Sequence, residues 1–311
     1  MKEVRAQVET VRPGRPLFVR EWILGVNESH TPTATTAPPV DLQIPIVHGS
    51  CASERQFHYL LLSLEAKVQA LARRTVIRCL LFDLVGCGAS PVLTEYEAYS
   101  TENVVKDLQA VVETYLDPKV PIVWMGHSYG PNLILRLLTS EAHAATMSKY
   151  QTAGMILIGS AVRPVPDDPS FFPDGGLQLF YLPVWMLQCL QALLTAQFIK
   201  LAIHPKHSWL RKENTDWCNA NSCFMIRSFY RQTVWSTMND LVKVSSPSLP
   251  VFVIHGVDDG IVPLKYGQEM ANAVPNGTFC PIDQASHLVM MEQADLVATK
   301  VINFLQQNVL K

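Results

Sequence analysis

The sequence predicts an α/β fold, in which a mostly parallel central sheet is flanked by helices and carries an inserted helical cap. From residue 44 onward, short apolar runs alternate with longer segments of helical periodicity. These runs are apolar without a break, which is typical of parallel strands that are covered on both faces. The alternation stops between Ser160 and Leu249, where helical patterns occur without a clear strand. With 311 residues, the chain is long enough for one large domain that carries such an insertion.

The predicted elements follow one another in a regular order. Residues 1 to 43 are expected to form short strands and then a Thr/Pro-rich loop at 31–39. Later strands are predicted at 44–47, 76–84, 122–125, 155–158, 251–254 and near 278–282. Helices are predicted near 54–73, 101–115, 131–138, 266–274 and 296–310. Because proline cannot donate to a sheet ladder, Pro45 suggests that the first of these strands begins at Ile46.

The interruption of this pattern predicts the domain organisation. We expect a core formed by residues 1–160 and 249–311, and a helical cap at 161–248. Ligands of open parallel sheets bind beyond the carboxyl ends of the strands. A cap inserted between two strands at that edge would therefore cover a binding site.

Composition and charge exclude two classes of protein. Apolar residues make up 48% of the chain and charged residues only 17%, against about 25% in typical proteins. This excludes intrinsic disorder. The 25 basic and 27 acidic residues give a net charge of −2, so no overall field favours a nucleic-acid partner, and we expect none.

The cysteines and the first residues indicate an intracellular protein. The seven cysteines are an odd, scattered set, which fits reduced thiols better than a disulfide framework. No apolar run follows the charged residues at the amino terminus, so we expect no secretory signal. The expected location is the cytoplasm, peripheral to membranes if the cap contacts them, and not the secretory route.

One uncharged stretch, residues 175–199, resembles a membrane span. It contains four glutamines, and Pro183 interrupts it, so a buried or interfacial helix pair explains it better than a spanning helix. The apolar side chains of the cap either only pack the cap onto the sheet, or part of them lines an acyl-chain tunnel or rests on a membrane. The basic residues around Trp209 suit anionic headgroups, although a solvated basic turn explains them too.

The chemically informative motif is Gly126-His127-Ser128-Tyr129-Gly130, which follows an apolar run and opens a helix. In a G-x-S-x-G elbow, a sharp strand-to-helix turn lifts the serine hydroxyl above the sheet in a strained conformation. Pro131 fits the first turn of the following helix, where a missing N–H costs nothing. The motif predicts Ser128 as a nucleophile.

A serine nucleophile needs a base and a carboxylate that orients the base. Along the chain the order after such an elbow is serine, acid, histidine. His287 is the one histidine that follows the last plausible acid, so it is the predicted base. The acid is expected after the run at 251–254, where we favour Asp259, with Asp258 as the alternative.

The tetrahedral intermediate needs backbone N–H donors that point at its oxyanion. We expect one donor to be the amide of Tyr129, directly after the nucleophile. The second is expected from the loop His48-Gly49-Ser50-Cys51, at the amide of Ser50. Neither metal nor organic cofactor is implied by this set of residues.

Together these motifs, with the turn at 83–90 and the 259–263 segment, resemble the α/β-hydrolase superfamily over residues 42–310, specifically ABHD-type serine hydrolases with a helical cap. Cap residues 221–227 and 232–235 resemble the subgroup of the eighth-numbered ABHD protein. The loop after His48-Gly49 lacks the further glycines that the family usually has. Some relatives carry a His-x4-Asp acyltransferase signature, and here Glu292 stands at the aspartate position.

The resemblance implies hydrolysis of an ester, a thioester or an amide, most commonly of an acyl lipid. We expect a hydrolase that acts on ester bonds, with a small acyl ester or lipid as its substrate and Ser128 as the residue that becomes acylated. Two alternatives stay open: a ligand-binding or scaffolding protein with little turnover, and a lysolipid acyltransferase. The sequence does not indicate an oligomeric state.

Overall fold

A computed structural model describes residues 1–26, 39–164 and 178–310 of the chain. Most of the expected Thr/Pro-rich loop and the first residues of the uncharged stretch, 175–177, lie outside the described residues. Eight strands of the described chain form one sheet in the order β1-β2-β4-β3-β5-β6-β7-β8. The strands are β1 Lys2–Arg12, β2 Arg15–Leu24, β3 Leu42–Val47, β4 Ile77–Phe82, β5 Ile122–His127, β6 Thr152–Ile158, β7 Val251–Gly256 and β8 Gly277–Ile282.

The sheet is parallel from β4 to β8, while β1 and β2 form an antiparallel hairpin that joins its edge at β4. The α/β class and the mostly parallel sheet are therefore confirmed. All residues of β3, β5 and β7 are buried, as their continuous apolar sequences predict. The hairpin strands are longer than the short strands that we expected in this region.

Helices cover both faces of this sheet. They are α1 His58–Gln69, α2 Thr101–Tyr115, α3 Gly130–Thr139, α4 Glu141–Met147, α5 Val184–Ala202, α6 Arg211–Ala220, α7 Cys223–Arg231, α8 Met238–Val244, α9 Leu264–Asn272, α10 Val289–Glu292 and α11 Ala294–Asn308. Short 3-10 turns lie at Glu54–Phe57, Tyr96–Tyr99, Gln178–Tyr181 and Pro205–Leu210. One apolar cluster lies between the sheet and α2, α3 and α9, and a second lies between the sheet and α1 and α11.

The strand that contains Pro45 begins earlier than the sequence suggests. β3 starts at Leu42, and Pro45 is aligned with Leu80 of β4 inside an unbroken parallel ladder. On the other side, the pairing with β5 passes from Gln43 directly to Ile46. The missing N–H of the proline therefore interrupts one ladder only, and the other ladder keeps the strand extended.

Helices α5 to α8 lie between β6 and β7, in the interval where the sequence predicts the cap. Among the described residues of this interval, the only β-bridge is an isolated one, between Arg163 and Thr237. We call residues 178–248 the cap helices. Since β5, β7 and β8 are parallel, their carboxyl ends meet at one edge of the sheet, and the segments that follow them form the site described below.

Candidate active site

The elbow after β5 has the strained geometry that its motif predicts. Ser128 has a φ of +56°, a left-handed conformation that is rare for residues other than glycine. A Cβ atom at Gly130 would lie 2.1 Å from the carbonyl oxygen of Val47, and one at Gly126 would lie 2.7 Å from the nitrogen of Pro131. Both glycines are therefore needed so that the turn can pack between β3 and α3.

Two further hydrogen bonds hold Ser128 in this conformation. Its amide donates to the carbonyl of Ile158 at 2.9 Å, and its carbonyl accepts from the Ser160 hydroxyl at 2.7 Å. Ile158 is the last residue of the neighbouring strand β6, and Ser160 follows it two residues later. The strained turn is thus tied to the sheet, and the half-buried Ser128 side chain lines the pocket above it.

Asp259 lies in the turn after β7 with both carboxylate oxygens bound. Oδ1 accepts from the amides of Ile261 and Val262, each at 2.8 Å. Oδ2 lies 2.9 Å from Nδ1 of His287 and 3.3 Å from Nε2 of His255. Burial acts to raise the pKa of Asp259, but the charges and hydrogen bonds of His287 and His255 hold it below its ordinary value. The carboxylate is therefore ionised at neutral pH.

The other candidate acid, Asp258, points away from this histidine. Its side chain is half exposed, and its Oδ2 lies 3.7 Å from Nε2 of His204 in the cap helices. The structure therefore brings Asp259, and not Asp258, to His287.

His287 is held by its side chain and by its backbone. An ionised Asp259 accepts the Nδ1–H, which leaves Nε2 of His287 for the pocket that both His287 and Ser128 line. The carbonyl of His287 lies 2.9 Å from Nε2 of His127, the residue before the nucleophile. Burial and the nearby His287 lower the pKa of His127 to about 3, so His127 is neutral and donates this bond. His127 thus links the elbow to the loop at 283–288 that carries His287, which we call the histidine loop.

The loop after β3 lies directly against the nucleophile. A Cβ atom at Gly49 would lie 2.8 Å from Cβ and 3.3 Å from Oγ of Ser128. His48 fixes this loop, because its Nδ1 donates to the Gly49 carbonyl at 2.7 Å while its Nε2 accepts from the Leu84 amide at 2.9 Å. No side chain larger than a hydrogen atom can stand at position 49.

Neither of the two predicted oxyanion donors is used elsewhere in the described chain. The amides of Ser50 and Tyr129 donate no hydrogen bond to another described group. The Tyr129 side chain is buried away from the pocket, with its hydroxyl bonded to Thr101 and to the carbonyl of Val234. Only the backbone of Tyr129 is therefore available to a ligand at Ser128.

A cavity of about 420 Å³ lies above Ser128 and His287. Its floor comes from the core, and its upper wall comes from the cap helices. Apolar side chains dominate this upper wall: Leu179, Phe180, Leu187, Leu194, Phe198 and Ile226. In volume and lining it is typical of a site for a small organic ligand.

The sequence reasoning missed Tyr230, a pocket residue on α7. Its hydroxyl lies 2.7 Å from the Ser50 hydroxyl, and its ring is stacked on Phe180 with centroids 4.4 Å apart. Burial raises the pKa of Tyr230, so it is a neutral hydrogen-bonding group. No local motif marks this residue, since its role depends on how the cap helices lie over the core.

Glu292 was noted in the sequence because it stands at the aspartate position of an acyltransferase signature. In the structure it joins two segments of the chain. Its carboxylate accepts from the amides of Ser286, next to the site histidine, and of His204, at the end of α5, at 2.6 and 2.5 Å. The Ser286 hydroxyl adds a bond to the Leu201 carbonyl at 2.6 Å. Burial raises the pKa of Glu292 to about 7, although both amide bonds act to lower it. Glu292 therefore joins the cap helices to the histidine loop and does not point into the cavity.

A metal site is not evident in this region. In residues 1–26, 39–164 and 178–310, no group of three or more His, Cys, Asp or Glu side chains could hold a metal ion. The three histidines near the site, at positions 48, 127 and 255, are engaged in bonds to backbone groups.

Comparison with known proteins agrees with this geometry. The model of the alpha/beta hydrolase family matches residues 46–300. Human protein ABHD8 is 30% identical over 226 residues, which cover 72% of this chain and 47% of ABHD8. The chain thus spans about half the length of the ABHD8 relatives that it matches.

Solved structures share the fold at lower identity. A bromoperoxidase from Bacillus anthracis superimposes with a TM-score of 0.73 at 18% identity, over 97% of this chain and 100% of that one. A thermophilic esterase from Thermogutta terrifontis gives 0.70 at 19% identity, over 99% of both chains. The sheet order, the elbow and the matched family model lead to one conclusion: this chain belongs to the alpha/beta hydrolase family.

Proposed function

We propose that this protein is a serine hydrolase that cleaves a carboxylic ester through an acyl-enzyme on Ser128. The observation that carries the proposal is the joint presence, at one cavity, of a strained Ser128 and a His287 whose Nδ1 is bound to an ionised Asp259. Nucleophile, base and orienting acid are the set that ester hydrolysis by serine requires.

In the first half of the reaction, the Ser128 oxygen attacks the ester carbonyl carbon, and its proton passes to Nε2 of His287. The charge that develops on the carbonyl oxygen is stabilised by the free amides of Tyr129 and Ser50. Asp259 stabilises the imidazolium through Nδ1. When the tetrahedral intermediate collapses, the bond to the leaving alcohol breaks and His287 returns the proton to the alcohol oxygen.

In the second half, water replaces the alcohol. His287 accepts a proton from the water, whose oxygen attacks the acyl carbon, and the same amides hold the second oxyanion. Collapse of this intermediate returns the proton to Ser128 and releases the carboxylic acid. No group outside this chain is needed except the substrate and one water molecule.

The apolar upper wall of the cavity favours an acyl substrate. A chain of methylene groups that leaves water for this wall gains about 0.8 kcal/mol for each buried CH₂. The polar groups concentrate at the floor, beside Ser128, where the ester itself would lie. We therefore propose an acyl ester, such as a lipid, with its carbonyl at Ser128 and its chain against α5.

Fluorophosphonate labelling of the purified protein tests the proposal. We expect stoichiometric modification at Ser128, located by mass spectrometry, and no modification in a folded Ser128→Ala variant. Hydrolysis of p-nitrophenyl esters of increasing acyl length should then show a preference for chains longer than acetate.

Two results would overturn the proposal. If a small fluorophosphonate fails to label the folded protein, the fold serves ligand binding or scaffolding. If the acyl-enzyme that an ester substrate forms on Ser128 passes its acyl group to the hydroxyl of an added lysolipid faster than to water, the protein is an acyltransferase.

A further inference from the structure

Helix α5 has one face that packs on the protein and one face that packs on nothing within the described chain. Its buried residues are Leu187, Thr195, Ile199 and Ala202, which recur at helical spacing along one side. The opposite side is exposed and carries no charge until Lys200: Trp185, Cys189, Ala192, Leu193, Ala196 and Gln197. The helix is long and apolar enough to cross a membrane, yet its packed inner side keeps it on the core.

The most exposed large apolar side chains of the described chain all belong to the cap helices. Tyr181, Trp185, Leu193 and Trp209 are between 60 and 68% exposed, whereas large apolar side chains elsewhere in the described chain reach at most 51%. Three of these four are tryptophan or tyrosine, the residues that favour the boundary between hydrocarbon and lipid headgroups. Large apolar side chains with this degree of exposure are unfavourable on a surface that faces only water.

The charge of the cap helices suits an anionic surface. Residues 178–248 contain seven Lys or Arg and three Asp or Glu, a net charge of +4, while the whole chain has −2. Lys200 lies at the end of the exposed face, and the Arg231 guanidinium lies 4.9 Å from the centre of the Tyr181 ring. Long cationic side chains around an apolar face are typical of helices that lie in a membrane interface.

The same helix forms part of the cavity. Leu187, Leu194 and Phe198 of α5 line the space above Ser128, and Phe198 is also 37% exposed. A lipid that leaves a bilayer beneath the outer face of α5 would therefore reach the cavity by passing one helix.

We propose that the outer face of α5 rests in the interface of an anionic lipid bilayer, and that the substrate is an acyl lipid taken from that bilayer. This inference rests on the proposed hydrolase function for the identity of the substrate. The docking itself does not, because it needs only the exposed face and the positive cap helices.

Sedimentation of the full chain with lipid vesicles tests the docking. The probes are vesicles of phosphatidylcholine alone and of phosphatidylcholine with phosphatidylserine. We expect binding to the anionic vesicles that weakens at high salt, and at least ten-fold weaker binding of a Trp185→Glu, Leu193→Glu double variant. The matched control, Leu62→Glu with Leu296→Glu, changes two exposed leucines on α1 and α11 and should bind as the wild type does.

A second readout reports on the face itself. Cys189 is exposed, while the other six cysteines are buried or half-buried, so a polarity-sensitive dye on Cys189 should shift to the blue when vesicles are added. Equal binding of both double variants would overturn the proposal. So would a wild-type dimer that the Trp185→Glu, Leu193→Glu variant converts to a monomer, because a second copy would then cover the face.

Failure of docking and failure of hydrolysis can be told apart. Trp185 and Leu193 do not line the cavity, so fluorophosphonate labelling of the double variant in solution should match that of the wild type. Labelling without vesicle binding would leave a hydrolase of soluble esters. Vesicle binding without labelling would overturn the hydrolase function and the lipid substrate while retaining the docking.

Discussion

The floor and the upper wall of the cavity are held in place by different kinds of contact. In the floor, directional hydrogen bonds fix the polar groups. Asp259 accepts hydrogen bonds from two backbone amides and from a histidine, and both the amide and the carbonyl of Ser128 are hydrogen-bonded. The upper wall is mainly apolar packing by α5, α6 and α7, and its polar side chains, such as Gln191 and Asn221, bond chiefly to backbone carbonyls. Glu292 and Tyr230 lie where the two parts meet.

This difference has a consequence for substitutions. Replacing a buried, hydrogen-bonded carboxylate leaves its donors without an acceptor, while a packed apolar wall tolerates exchanges of similar volume. We therefore expect the effect of a single substitution to fall from the floor, through the contacts between the two parts, to the upper wall.

The largest effect is expected at Asp259. In an Asp259→Asn variant the side-chain oxygen stays with the two backbone amides, so the NH2 group of the asparagine faces His287 and donates to Nδ1. The proton of His287 then lies on Nε2, which is the wrong tautomer for a base. We expect the kcat of ester hydrolysis to fall about 10⁴-fold in Asp259→Asn, with the fold retained. Asp258→Asn changes the neighbouring, half-exposed carboxylate and should stay within about three-fold of the wild type. A larger loss in Asp258→Asn than in Asp259→Asn would exchange the two roles.

These two aspartates also show how far the sequence alone reaches. The elbow, His287 and the preference for Asp259 could be predicted because each depends on local spacing and chain order. The sheet was predictable because continuous apolar runs mark buried parallel strands. The extent of β3 could not be predicted. Whether Pro45 ends a strand depends on whether the hydrogen-bond ladder to one of the neighbouring strands continues past it, as the ladder to β4 does here.

Residues whose positions depend on the cap could not be predicted. The bond between Tyr230 and Ser50 joins residues 180 positions apart. The hydrogen bond from the His204 amide to Glu292 depends on where α5 ends. Such contacts are set by the packing of the cap helices on the core, which no periodicity in the sequence records.

An intermediate effect is expected at Glu292. Its pKa is raised from an ordinary 4.5 to about 7, chiefly by burial. A group whose pKa is raised on folding contributes stability that is present below its unfolded value and is lost as the pH rises through its folded value. Glu292→Gln stays neutral, so between pH 5 and 8 its free energy of unfolding should rise relative to that of the wild type, by about 2.5 kcal/mol.

Urea unfolding at pH 5, 6, 7 and 8 measures this difference. Asp295→Asn is the control, because it removes an exposed carboxylate of the neighbouring helix α11 and leaves Glu292 in place. A pH-independent difference for Glu292→Gln would mean that this carboxylate ionises as an ordinary surface group. Substitutions at the contact between the cap helices and the histidine loop would then have effects as small as those in the upper wall.

The smallest effect is expected at Tyr230, on the cap side of the cavity. Tyr230→Phe removes one neutral hydrogen bond to the Ser50 hydroxyl, worth about 1 kcal/mol, so the rate of ester hydrolysis should fall about five-fold. Ser50→Ala breaks the same bond from the other side and leaves the proposed oxyanion donor, the Ser50 amide, in place. A double-mutant cycle measures the coupling, and the double variant should be no slower than the slower single variant. If Ser50→Ala lowers the rate far more than Tyr230→Phe does, the Ser50 hydroxyl itself contacts the substrate. If the two losses in rate add in the double variant, the two hydroxyls act independently. The cap helices then do not position the loop that carries the Ser50 amide.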